Sequence, residues 1–107
     1  MNRELNEYEI RLLTHFCGER SFSGCQGVEE IHPDDKDWRH IRLFYPDAPW
    51  KGGGYTVLID RAAKDVDGAP IELLALGDQE GRIYELEIHR LDGSPIQLLP
   101  SAADWGG

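Results

Sequence analysis

Four segments in the second half of the chain alternate apolar and polar residues with the period of two that half-buried strands require. They are Ile41, Leu43 and Tyr45; Tyr55, Val57 and Ile59; Ile71, Leu73 and Ala75; and Tyr84, Leu86 and Ile88. The returns between them, Asp67-Gly68, Gly77-Asp78-Gln79-Glu80-Gly81 and Asp92-Gly93, carry residues that tolerate positive φ, which favours antiparallel neighbours in a meander. A longer connection, 46–54, interrupts it with Pro46, Pro49 and the run Gly52-Gly53-Gly54. Near the N-terminus the period changes to that of a helix. Asn6 is placed as N-cap, Glu9 as its capping-box partner, Leu5 and Ile10 as a hydrophobic staple, and Gly18 as the stop. Ile10, Leu13 and Cys17 form the apolar stripe, widened by Leu12 and Phe16, with Glu7, Arg11 and Thr14 on the opposite side.

Residues 19–37 read mainly as loop, with room for a short strand around Val28 to Ile31. A helix stripe and a sheet face must bury each other. The pattern therefore predicts one α+β domain over residues 1–107: a single antiparallel sheet of four to six strands with the N-terminal helix packed on one face. On the last strand Glu85, Glu87 and His89 alternate with Tyr84, Leu86 and Ile88, which puts two carboxylates and an imidazole on the side away from the core.

Composition adds charge to this picture. Among 107 residues, 20 Asp and Glu face 11 Lys and Arg, a net charge of -9, so a partner attracted electrostatically is basic, and nucleic acid is not expected. The densest stretch is Glu29-Glu30-Ile31-His32-Pro33-Asp34-Asp35-Lys36-Asp37-Trp38, where no strand or helix pattern demands charge. No apolar run approaches the roughly 20 residues that cross a bilayer, and the first residues lack a basic segment leading into an apolar one. No membrane association and a cytoplasmic location are expected. The two cysteines, Cys17 and Cys25, would remain thiols in such a compartment, although a disulfide closing this short loop is compatible with the sequence.

The order Asp67-Gly68-Ala69-Pro70-Ile71, then Ile83-Tyr84-Glu85-Leu86-Glu87-Ile88, then Asp92-Gly93-Ser94-Pro95, with the leading helix Leu5-Asn6-Glu7-Tyr8-Glu9, covers most of the chain. It resembles a group of small uncharacterised bacterial α+β domains with a DG-x-P hairpin, a Tyr-Glu-Leu-acid strand and a Ser-Pro ending. Small acidic bacterial proteins of this kind are similar to the immunity proteins of toxin systems, a likeness that implies a cytoplasmic inhibitor. The resemblance assigns no functional residues.

Candidate chemistry is sparse. His15, Cys17, Cys25 and His32 lack the compact spacing of a structural zinc site, and neither metal nor cofactor is expected. Alternate positions on one strand bring neighbours among Glu85, Glu87 and His89 to within about 7 Å on the same face, which suits acid/base work and a solvated surface equally. Ser21, Ser23, Ser94 and Ser101 sit in no nucleophile-elbow motif, and Gly52-Gly53-Gly54 is not followed by the residues of a phosphate-binding loop. An enzyme is not expected; one would need a cleft where His32, His40 or His89 meets carboxylates.

The acidic run either hydrates a surface or forms a recognition site with nearby aromatics, anchors ringed by steering charges. The partner-binding set expected on the second reading is Glu29, Glu30, Asp34, Asp35, Asp37, Trp38, Trp50, Glu85 and Glu87, with Tyr45 and Tyr55 near it in sequence. The function expected is that of an immunity-like inhibitor holding a basic toxin domain, such as a nuclease. The alternative is a non-catalytic regulatory or small-molecule-binding module, or self-association through a sheet edge.

Overall fold

The computed structural model describes residues 2–47 and 56–106. Helix α1, Glu7–Cys17, begins and ends on the expected signals. Asn6 accepts the Glu9 N–H at 2.8 Å, Glu9 accepts the Asn6 N–H at 2.9 Å, and Gly18 closes the helix at φ 77°. Six strands follow the order β1-β2-β3-β6-β5-β4, every pair antiparallel. They are β1 (Asn2–Arg3), β2 (Gly27–Glu30), β3 (Trp38–Phe44), β4 (Thr56–Lys64), β5 (Pro70–Gly77) and β6 (Ile83–Arg90). The fold is thus the α+β sheet-and-helix arrangement the pattern predicts. The long connection after β3 leads to the far edge, so the sheet joins a β2–β3 hairpin to a β4–β5–β6 meander along the β3–β6 seam.

The core lies between α1 and one sheet face, where Leu12 and Leu13 meet Val28, Ile41, Leu43, Ile59, Ile71, Leu73, Leu86 and Ile88. Burial of this apolar surface is the main drive to fold. Of the expected stripe, Leu12 and Leu13 are buried and Phe16 and Cys17 pack half-buried against the core, whereas Ile10 is 40% exposed and Glu9 is buried. The Glu9 carboxylate is buried because the Arg3 guanidinium of β1 binds it with two 2.8 Å bonds. Ile10 instead shares an outer groove with Leu5 and Phe22. In β4 the expected alternation of Val57 with Ile59 is broken by a register irregularity between them, which leaves Val57 55% exposed. Tyr55 lies outside the described residues. Tyr45, expected beside the recognition surface, is core: its hydroxyl donates to the carbonyls of Ser21 and Ile83. Cys17 and Cys25 are free thiols.

The chain after β6 closes the same face. Ile96, Leu99 and Ala102 pack on the core, Trp105 is buried with its Nε1 donating to Tyr8 Oη, and Gly106 bridges to Ala62 on the outer edge of β4. One guanidinium fixes this path. Arg90, 3% exposed, donates to Asp92 at 2.8 and 3.0 Å, to Asp67 at 2.7 Å and to Asp65 at 2.9 Å. Asp65 also accepts the N–H groups of Gln97, Val66 and Leu98. Asp67 and Asp92 each cap their own turn as well, through the N–H of Ala69 and of Ser94, with Gly68 and Gly93 at φ 88° and 79°. The two Asp-Gly motifs are therefore the two ends of one clasp, and a charge this buried persists only because it is fully paired.

Backbone N–H groups, with Arg90, hold the Asp65 carboxyl at about 2, and Arg90 holds Asp92 at about 2, against an ordinary 3.8. Because both are depressed on folding, their contribution is complete above the ordinary value and is lost as pH falls through about 2. Denaturation midpoints should fall across that window, and Asp65→Asn should reduce the dependence while lowering the thermal midpoint near neutrality by roughly 10 °C or more. A midpoint flat through this range would contradict the clasp. In the core, Leu13→Ala should cost about 2–5 kcal/mol in urea unfolding, and Ile10→Ala under about 1 kcal/mol.

Candidate functional site

Residues directly opposite in an antiparallel pair share a face, so the register assigns every strand side chain to one side of the sheet. On the face away from α1, one row across the strands reads Glu29, Arg42, Glu85, Leu76 and Val57. The next reads His40, Glu87, Leu74 and Asp60, and the third Trp38, His89, Glu72 and Ala62. Among the described residues no helix covers this face. The strands' charges divide with the two sides. Glu29, Asp60, Glu72, Glu85 and Glu87 stand on the open face against Arg42 and Lys64, whereas Arg3, Arg39, Arg61 and Arg90 stand on the helix side against Glu30.

At the centre of the open face a hydrogen-bonded cluster spans the β3–β6 seam. Trp38 Nε1 donates to Glu87 at 3.0 Å, His40 Nε2 lies 3.2 Å from Glu85, and Arg42 donates to the same Glu85 oxygen at 3.3 Å. The loop between β2 and β3 brings two further pairs. His32 Nδ1 is 3.8 Å from Asp35, and Asp37 is 3.5 Å from His89 Nε2. That loop is held by the N–H groups of Ile31, Arg90 and Ile96, which donate to the carbonyls of His40, Asp37 and Lys36 respectively. Three imidazoles surround the Trp38 ring, with centroids at 4.1 Å for His32, 5.1 Å for His89 and 5.6 Å for His40. His40 Nδ1 and Arg42 Nε are buried without a hydrogen-bond partner. Beside the cluster an open groove of about 250 Å³ is lined by Arg3, His32, Asp35, Lys36, Trp38 and Arg39, among others.

Of the partner-binding set, the structure brings together Asp35, Asp37, Trp38, Glu85 and Glu87. Glu29 is on the same face opposite Arg42, and Asp34 is exposed on the turn. Glu30 falls on the other face, bound by Arg3 at 3.1 Å, so it does not join the cluster. Glu85, 6% exposed beneath His40 and Arg42, organises the site from below and presents little surface to a partner. Trp50 lies outside the described residues. Arg42 and the gathering of the histidines were missed, although Trp38, His40 and Arg42 alternate against Ile41 and Leu43 as plainly as Glu85, Glu87 and His89 do on β6.

His40 does meet a carboxylate within hydrogen-bond reach, but among the described residues no hydroxyl or thiol is bonded to these imidazoles. No group of three His, Cys, Asp or Glu side chains among them converges to hold a metal ion. No helix among them is long and apolar enough to cross a membrane. Trp38→Phe, which keeps the ring stack and removes the bond to Glu87, should cost about 1–3 kcal/mol in urea unfolding. Combined with Glu87→Gln it should add little further; full additivity would show that the two side chains are uncoupled.

A family model described as "Domain of unknown function (DUF6984)" matches residues 2–100, a span that contains both Asp-Gly turns of the clasp and all six strands. No curated protein and no solved structure matches the chain. The chain belongs to the DUF6984 family.

Proposed function

We propose that this DUF6984 domain is a non-catalytic acidic binding protein that takes a basic protein domain onto the open face of its sheet, as an immunity-type inhibitor takes a toxin nuclease in the bacterial cytoplasm. The observation that supports this reading is the division of strand charge between the two faces. Scattered charge would keep a surface hydrated, whereas carboxylates collected on one uncovered face create a directional field that speeds encounter with a cation-rich partner. Phe44 and Val57, both exposed, and the half-buried Leu74 and Leu76 supply apolar contact area between the carboxylates. Anchors with a charged surround are the composition of a recognition surface. The imidazole nitrogens lie close to carboxylates of the same surface.

A second reading, small-ligand binding, is favoured by the groove beside Trp38, whose Arg39 and Lys36 suit an anion. A thermal midpoint that rises with small anionic metabolites in the absence of any protein partner would favour it over the first.

The direct test is association with a basic protein domain, such as a toxin nuclease, followed at low and high salt. Glu29→Gln, Glu72→Gln and Glu87→Gln together should slow association at least about tenfold and flatten its salt dependence. Glu7→Gln, Glu19→Gln and Glu80→Gln, an equal change in net charge away from the open face, should leave the rate within about twofold. Equal effects of the two sets would show that net charge alone matters and would remove the docking face from the account.

A further inference from the structure

Three of the four histidines in the chain crowd one indole on the proposed docking face, and each faces a carboxylate. We infer that the face is gated by pH: His32, His40 and His89 turn it from an acidic docking surface into a near-neutral one when they take up protons. The inference rests on the reading of that face as the docking site and names its regulation.

The groups around each imidazole come from several elements. His32, in the loop, faces Asp35 at 3.8 Å and the His40 ring at 5.4 Å, with Lys36, Arg39 and the Arg3–Glu30 pair around the same groove. His40, on β3, faces Glu85 and Glu87 of β6 at 3.2 and 3.9 Å, and Arg42 shares Glu85 with it. His89, on β6, faces Asp37 of the loop at 3.5 Å and has Glu72 of β5 as its register partner. Histidine is the side chain whose ordinary charge change falls between pH 5 and 8. Protonation sets three positive charges among Asp35, Asp37, Glu85 and Glu87, the carboxylates nearest the indole. It also gives His40 Nδ1 a proton to direct at Glu87, which the structure leaves without a hydrogen-bond donor from that atom. A face thus neutralised loses its attraction for a cationic partner.

The first test needs no partner. Imidazole signals of the full-length chain are followed by NMR from pH 8 to 5, with His15, outside the cluster, as reference. The clustered histidines should titrate with mutual coupling and move the Trp38 indole N–H resonance with them. Histidines that stay neutral down to pH 5, or that leave the indole unmoved, would overturn the gate. The second test measures binding of a deca-arginine peptide at pH 7.5 and 5.5 in low salt. Wild type should bind about tenfold more weakly at the lower pH. In His32→Asn with His89→Asn, two side chains 34% and 40% exposed whose loss the fold should tolerate, the difference should shrink to under about threefold. Equal binding by wild type at both pH values would overturn the gate and leave the docking reading standing. No binding even at pH 7.5 would overturn the docking reading and the gate with it.

Discussion

The pairing of β3 with β6 is the contact on which the rest of the molecule depends. Sequence-local pairing makes the β2–β3 hairpin and the β4–β5–β6 meander, and only the seam between β3 and β6 makes them one sheet. Its register, Trp38 opposite His89 and Ile41 opposite Leu86, sets both faces at once. A slip of one residue would turn Ile41 and Leu43 to the open side and drive His40 and Arg42 under the helix, exchanging the core for buried charge. The hydrophobic requirement of one face therefore holds the polar cluster of the other in place, although the cluster adds no apolar burial of its own.

The Asp-Gly turns have a structural task that is separate from the open face. Asp67, just before β5, and Asp92, just after β6, meet on Arg90, so the β4–β5 turn and the closing segment are tied to the last residue of β6. This clasp and the core both lie on the helix side. The open face carries the hydrogen-bonded cluster of charges and rings along the β3–β6 seam. In such a division most of the apolar burial resides on the helix side, and the uncovered side keeps polar groups within reach of solvent.

How much of this was legible depended on range. The helix and its two ends were readable because capping is a matter of three or four neighbouring residues, and the strands because alternation is local. The position of Glu85, Glu87 and His89 on the outer face followed from the same alternation. What faced them did not, since Trp38 reaches Glu87 across 49 positions of sequence, and nothing within either strand states the register. The same limit hid Arg90, whose three aspartates come from two separate turns, and the Arg3–Glu9 pair that buries the Glu9 carboxylate. The acidic run looked uniform as a string. Folded, it divides, with Glu30 joining Arg3 on one side of the sheet and Asp35 and Asp37 joining the histidines on the other.

The central claim is that cationic partners settle on the face opposite α1. Methyl and indole NMR signals of the full chain, recorded while a basic protein domain or arginine-rich peptide is added, test it most directly. The account predicts that the indole of Trp38 and the methyls of Val57, Leu74 and Leu76 shift, while those of Leu12, Leu13, Leu43 and Leu73 stay still. Shifts centred on α1 or on the segment that follows β6, with the Trp38 signal unmoved, would contradict it.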